Sequence, residues 1–132
     1  MASTTLDHPQ LGRLFVSSEG HWAGKTARGN EFYILGDLFD EALDPDCELR
    51  AVRELRDFEG LLVRIASFLT TAREPYLDRW VNRRWEADWL MFLKENGQPT
   101  CDVHYHLEND DYTTWVVRVE DGVPVALSRR PH

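Results

Sequence analysis

The chain has 132 residues and a formal net charge of −8 at pH 7, and we predict a single domain over residues 1–132 with frayed ends at 1–10 and 129–132. Hydrophobic residues make up 42% and aromatic residues 11% of the chain, which excludes a disordered protein, and no apolar run is long enough to cross a bilayer. The acidic balance disfavours contact with nucleic-acid phosphates and suits a basic protein partner.

The N-terminal residues and the cysteines indicate the compartment. The first residues lack the positive and apolar regions of a signal peptide, so we expect a cytoplasmic protein with no membrane contact. Cys47 and Cys101 lie far apart and neither belongs to a C-x-x-C pair. We therefore expect reduced thiols rather than a disulfide or a zinc site, and no cofactor.

Residues 11–36 contain short apolar stretches separated by turn residues. Leu14 and Val16 alternate with Phe15, and residues 32–35 are of types that favour strands. The segments 18–20 and 28–30 have the composition of turns. This pattern predicts three strands joined as a meander.

The middle of the chain has the spacing of helices. Asp44 can act as an N-cap and Pro45 fits the first helical position. Apolar residues then recur every three or four positions, which predicts a helix as far as about Arg73. The stripe consists of Leu49, Val52, Leu55, Phe58, Leu62, Ile65 and Leu69.

A second helix is predicted from Pro75 to about Lys94, with Gly97 as its left-handed cap. Its apolar stripe consists of Leu77, Val81, Trp85, Trp89 and Phe92. Two helices with a short connection are expected to pack as an antiparallel hairpin.

Alternation returns after residue 101, where Val103, Tyr105 and Leu107 share one face of a predicted strand. Two more strands follow, joined by a two-residue turn at Asp121-Gly122, and Pro124 places the last strand at a sheet edge or near its own start. The whole predicts an α+β fold, in which an antiparallel sheet from two β-meanders carries a central antiparallel helix pair on one face.

Two histidines, His104 and His106, share the other face of the first of these strands. A His-x-His pair of this kind can bind one metal ion if a third ligand is near. No third ligand occurs at a diagnostic spacing, so we expect no metal and place both imidazoles on the solvent side. A small metal-dependent enzyme using His104 and His106 remains the alternative.

Other motifs are absent from the sequence. It has no G-x-G-x-x-G, G-x-x-x-x-G-K-[ST], H-E-x-x-H or G-x-S-x-G pattern. The segment RWVNRRW at 79–85 interleaves arginine and tryptophan, as single-strand nucleic-acid sites do, but the net charge opposes that use. We therefore predict neither catalysis nor nucleic-acid binding.

The acidic segment 37–48 is the densest charged feature of the chain. It either caps a helix or docks a basic partner. The docking interpretation gives a predicted contact set of Asp37, Phe39, Asp40, Glu41, Asp44 and Asp46.

The pattern LGRL, HWAGK and GNEFYILGD, followed by AVRELRDFEGLLVRIASFLTTAREPYL and TTWVVRVEDG, resembles a loose group of small bacterial domains. Many of them are found beside polymorphic toxins and are considered immunity proteins. The resemblance implies a non-enzymatic protein that binds and neutralises a toxin, and it supplies no site residues. A small-ligand-binding domain is a further alternative, and the oligomeric state stays open.

Overall fold

The computed structural model describes residues 5–17, 20–37, 42–71, 84–108 and 113–131. The strands there are β1 Thr5–His8, β2 Gly12–Val16, β3 Trp22–Lys25, β4 Glu31–Ile34, β5 Gly36–Asp37, β6 Ala42–Leu43, β7 Trp85–Glu95, β8 Gln98–Leu107, β9 Thr113–Glu120 and β10 Val123–Pro131. The helices are α1 Pro45–Arg56 and α2 Phe58–Thr71. Strands and helices in separate groups confirm the predicted α+β class.

The sheet has eight strands, in the order β1-β2-β3-β4-β7-β8-β9-β10. Neighbouring strands are antiparallel except β4 and β7, which run parallel. A parallel pair needs a long connection, and here that connection contains both helices. The parallel pair therefore joins the two predicted meanders into one sheet. β5 and β6 form a separate small ribbon.

One face of the sheet, the inner face, packs against the helices. Its fully buried side chains include Phe32, Ile34, Leu90, Phe92, Val103, Val117 and Val119, and they form one cluster with Ala51, Leu61 and Ile65 of the helices. Each such side chain contributes roughly 1.5–3 kcal/mol by leaving water. The helices are therefore fixed on one side of the sheet by apolar contact.

The second predicted helix is wrong over the described residues 84–94, because Trp85–Glu95 is strand β7. A bulge at Asp88 shifts the alternation, so Trp85, Leu90 and Phe92 face inward, and Trp89, which the predicted helical stripe placed with Trp85 and Phe92, faces outward. Asn96 and Gly97 both have positive φ, at 53° and 78°, which is the geometry of a two-residue hairpin turn. Gly97 therefore turns a hairpin instead of ending a helix.

The first predicted helix is divided in two at Asp57. The backbone of Asp57 leaves the helical region, with φ −128° and ψ 60°, and its carboxylate accepts a hydrogen bond from the Gly60 amide at 3.1 Å. A Cβ at Gly60 would lie 2.2 Å from that carboxylate, so glycine permits the cap. Leu49, a member of the predicted apolar stripe, is 59% exposed, and the buried residues of α1 are Cys47, Ala51 and Glu54.

Both ends of the described chain are held in the sheet. Thr5–His8 pairs with β2 and Val123–Pro131 pairs with β9, so the expected fraying is wrong for these residues. Pro124 lies near the start of the edge strand, as predicted. Among the described residues, neither helix is long and apolar enough to span a membrane.

Candidate functional site

The outer face of the sheet, opposite the helices, carries aromatic side chains on four strands, of which β4, β7 and β8 are neighbours and β2 is separated from β4 by Ala23 of β3. Phe15 of β2, Tyr33 of β4, Trp89 of β7 and His104 of β8 all lie on this face by the strand registers. Phe15 is 50% exposed, and Tyr33 and Trp89 are half-buried. We call these four residues the aromatic row.

His104 is the most buried member of the row. Its imidazole stacks on the Trp89 indole with centroids 3.6 Å apart and planes inclined by 11°, and it is only 5% exposed. Burial, together with the positive charge of Arg130, lowers the pKa of His104 to about 4, although the charge of Asp102 opposes this. The prediction that His104 faces solvent is therefore wrong, because the large indole from β7 covers it.

His106 lies on the same face, as predicted, but its environment differs. Its Nδ1 lies 2.5 Å from Asp88 Oδ1 and its Nε2 lies 3.1 Å from Glu86 Oε2. Both ring nitrogens are thus occupied by carboxylates, while His104 is held against Trp89. Across the described ranges, no cluster of three or more His, Cys, Asp or Glu side chains has the geometry of a metal site.

The acidic residues of the outer face surround the aromatic row. Glu31 accepts a hydrogen bond of 2.5 Å from the Tyr33 hydroxyl, and Asp102 binds the Arg118 guanidinium through two nitrogens. Arg118 also donates to Glu95 at 2.8 Å. The carboxylates along this face include Glu31, Glu86, Asp88, Glu95 and Asp102. An aromatic surface edged by carboxylates is suited to hold cationic side chains.

The predicted contact set is only partly within the described chain. Phe39, Asp40 and Glu41 lie outside the described residues, and Asp37 pairs through its backbone with Ala42. Two members of the set, Asp44 and Asp46, are described in full.

Asp44 is the N-cap of α1, as predicted, and accepts from the Asp46 and Cys47 amides at 3.1 Å. The Lys94 ammonium lies 3.0 Å from a carboxylate oxygen of each aspartate. Burial alone would raise the pKa of Asp44, but the hydrogen bonds from Lys94 and from the Cys47 backbone hold it below its usual value. Asp44 therefore has a structural task, while the Asp46 side chain is 61% exposed.

These two groups of acids meet at the end of β7. Lys94 points inward to Asp44 and Asp46, and the next residue, Glu95, points outward to Arg118. Successive strand residues face opposite sides, so the strand end joins the acidic start of α1 to the outer face. We call Asp46, Glu95 and Asp102 the acidic edge.

Two further buried groups have structural explanations. His8 accepts from the Gln10 and Leu11 amides at Nδ1, which leaves its Nε2 to donate to Glu48 at 2.6 Å. This arrangement occupies both nitrogens, so the pair fastens β1 to α1.

Cys47 and Cys101 are free buried thiols, as expected. Burial, followed by the charge of Asp44, raises the pKa of Cys47 to about 12, so it is a poor nucleophile.

Tyr33 and Trp89 were not predicted from the sequence to be surface residues of one site. The alternation of residues 31–34 would have placed Tyr33 on the exposed face. No such pattern predicts the position of Trp89, because the bulge at Asp88 moves it to the other face of the sheet. Comparisons with protein-family models, with curated proteins and with solved structures gave no match.

Proposed function

We propose that this protein is a non-enzymatic, cytoplasmic binding domain of the immunity type, which neutralises a basic toxin by holding it against its acidic surface. The observation that carries the proposal is the aromatic row on the outer face, bordered by carboxylates and lying opposite the helices. The resemblance to immunity domains implies the same class of function.

The aromatic row supplies the apolar part of the proposed contact. Aromatic side chains dominate the energetics of protein interfaces when a partner covers them. Phe15 exposes half of its surface to solvent, so a partner that covers it gains apolar burial of about 25 cal/mol per Å². Trp89 is already held by His104 and Tyr33, so it would lose little side-chain entropy on binding.

The carboxylates supply the charge. The whole chain carries a net charge of −8, which accelerates encounter with a cationic protein over distances of about 10 Å at moderate salt. Glu95 and Asp46 of the acidic edge are 60% and 61% exposed. They can meet arginine or lysine side chains without first losing a buried contact. The predicted loop residues Asp40 and Glu41 adjoin this edge in sequence.

The experiment tests this protein together with the product of the adjacent gene. The product of the adjacent gene is expressed in a bacterial host with and without this protein, and growth is measured. We expect growth arrest by the neighbour alone, rescue on co-expression, and a complex that co-elutes at low salt. The immunity role is contradicted if the neighbouring product is harmless. It is also contradicted if that product is toxic but this protein neither binds nor neutralises it.

A matched pair of variants separates the two acidic regions. Asp40→Lys with Glu41→Lys tests the predicted loop, and Glu95→Lys with Asp46→Lys tests the acidic edge. If the loop is the contact, the first pair slows association and weakens rescue, and if the edge is the contact, the second pair does so. The double variant Glu59→Lys with Asp121→Lys alters the total charge equally at exposed positions on the helix side of the sheet and serves as the control.

A further inference from the structure

A cleft of about 690 Å³ opens between helix α2 and the sheet, away from the outer face. Its helical wall contains Leu62, Ala66 and Leu69, which recur at helical spacing along α2. Its floor contains Trp85, Ala87 and Tyr105 from β7 and β8. The volume lies within the range of small-molecule sites, roughly 300–1,000 Å³.

The floor of the cleft is an ordered aromatic group. Trp85 packs edge-to-face on Tyr105 at 6.5 Å between centroids and on Trp115 at 5.4 Å. Tyr105 is only 5% exposed. Burial raises the pKa of Tyr105, and the positive charge of Arg28 opposes this. The hydroxyl therefore stays protonated at neutral pH and is near the Arg28 end of the cleft.

The charged residues at the described rim are paired with one another. The Arg28 Nη1 donates to both carboxylate oxygens of Glu59, at 3.1 and 2.9 Å, and Arg84 lies 3.3 Å from Glu86. Asn30 donates its side-chain amide to the carbonyl oxygens of Ala87 and Asp88. An ionic ligand would have to compete with these pairs, whereas an uncharged ligand would leave them intact.

We propose that this cleft is a binding site for an uncharged, largely apolar small molecule that contains an aromatic ring. The ring lies on Trp85 and Tyr105, and its edge packs against Leu62 and Ala66. The Arg28–Glu59 and Arg84–Glu86 pairs border the site and discriminate against charged molecules. The cleft shares Glu86 with the outer face, but its helical wall and aromatic floor lie on the inner side of the sheet, so the proposal does not depend on the partner surface.

The test uses N-phenyl-1-naphthylamine, a neutral aromatic probe whose fluorescence rises in apolar surroundings. We expect saturable one-to-one binding to the full chain, and binding of the anionic probe 8-anilinonaphthalene-1-sulfonate at least about tenfold weaker. Ala66 and Thr70 line the cleft and are exposed. Either Ala66→Trp or Thr70→Trp therefore fills the cleft without disturbing the core. Each variant should bind the neutral probe at least about tenfold more weakly than the wild type.

The control variant is Ser67→Trp, which places the same side chain on an exposed position of α2 that does not line the cleft. It should bind the neutral probe as the wild type does, and circular dichroism should show all three variants folded. The proposal is overturned if the neutral probe does not saturate or if the anionic probe binds as tightly. It is also overturned if both cleft variants bind normally, or if the control loses binding equally.

Discussion

The Trp89 indole lies flat on the His104 imidazole, with ring centroids 3.6 Å apart, on the outer face of the sheet. The stack removes His104 from water. Among the described residues, it is the one aromatic ring contact between β7 and β8 on the outer face. A histidine in such a place is neutral at physiological pH. Its protonation therefore opposes folding.

The first prediction concerns pH and His104. Its folded-state pKa, about 4, lies below the unfolded value of about 6.5. The resulting stability is fully present above the unfolded value and is lost as pH falls toward the folded value. The change amounts to about 3 kcal/mol between these limits. Urea denaturation at several pH values should show this loss in the wild type.

His104→Phe is the matched variant, because phenylalanine keeps the stack on Trp89 and cannot take a proton. We expect its free energy of unfolding to fall less than that of the wild type between pH 6.5 and pH 4. Equal pH profiles for the two proteins would show that His104 is not buried as a neutral ring.

The second prediction concerns the start of α1. Asp44→Ala removes the N-cap and should cost about 1 kcal/mol of unfolding free energy at pH 7. Asp46→Ala is the control, because it shares the Lys94 contact but does not cap the helix, and it should cost less than about 0.5 kcal/mol. The Asp44 contribution is present above the unfolded pKa and is lost as pH falls through the lower folded value. Equal losses at pH 7 would assign the effect to Lys94.

The third prediction concerns Glu54, which is only 5% exposed on α1. Burial raises its pKa, and the charge of Arg50, 3.7 Å away, opposes this. A raised carboxyl pKa gives stability that is fully present below the unfolded pKa and declines as pH rises through the folded value. The variant Glu54→Gln cannot lose a proton, so it should gain stability relative to the wild type between pH 4 and pH 7. Thermal melts at both pH values test this, and a constant difference would contradict it.

Part of this fold follows from the sequence alone. The strands β2, β3 and β4, the strands after residue 101, the Asp44-Pro45 helix start and the Asp121-Gly122 turn were predicted where they occur. Each has a local cause, either alternation or a residue that suits one backbone shape. Asp121 and Gly122 both have positive φ, at 49° and 78°, as that turn requires.

The strand β7 was missed because a bulge changed its period. Before Asp88 the inward residues include Trp85, and after it they include Leu90 and Phe92. Trp85, Trp89 and Phe92 are spaced by four and three positions, which looks helical, but the bulge places Trp89 on the outer face. Asn96-Gly97 was the opposing signal, since this dipeptide strongly favours a hairpin turn. The shared face of His104 and His106 was predictable, but the cover that Trp89 provides was not, because it depends on which strands pair.

The fourth prediction concerns metal. The protein purified without an affinity tag should contain less than about 0.1 equivalent of zinc, iron or copper, because both His106 nitrogens face carboxylates and His104 is stacked. Elemental analysis tests this. A content near one metal per chain that disappears in both His104→Ala and His106→Ala would establish the metal site instead.

The fifth prediction addresses the central claim, that the outer face binds a basic protein. Phe15→Ala removes an exposed member of the aromatic row, and Leu49→Ala removes a similarly exposed apolar side chain from α1. Neither change should alter the melting temperature by more than a few degrees, because exposed side chains contribute little to stability.

The most direct measurement is the dissociation constant of these two variants for the basic partner that the co-expression experiment identifies, determined by calorimetry at constant salt. The account predicts that Phe15→Ala binds at least about tenfold more weakly than the wild type, a loss of about 1.4 kcal/mol, while Leu49→Ala binds normally. Unchanged binding by Phe15→Ala, or an equal loss in Leu49→Ala, would contradict the assignment of the outer face as the partner surface.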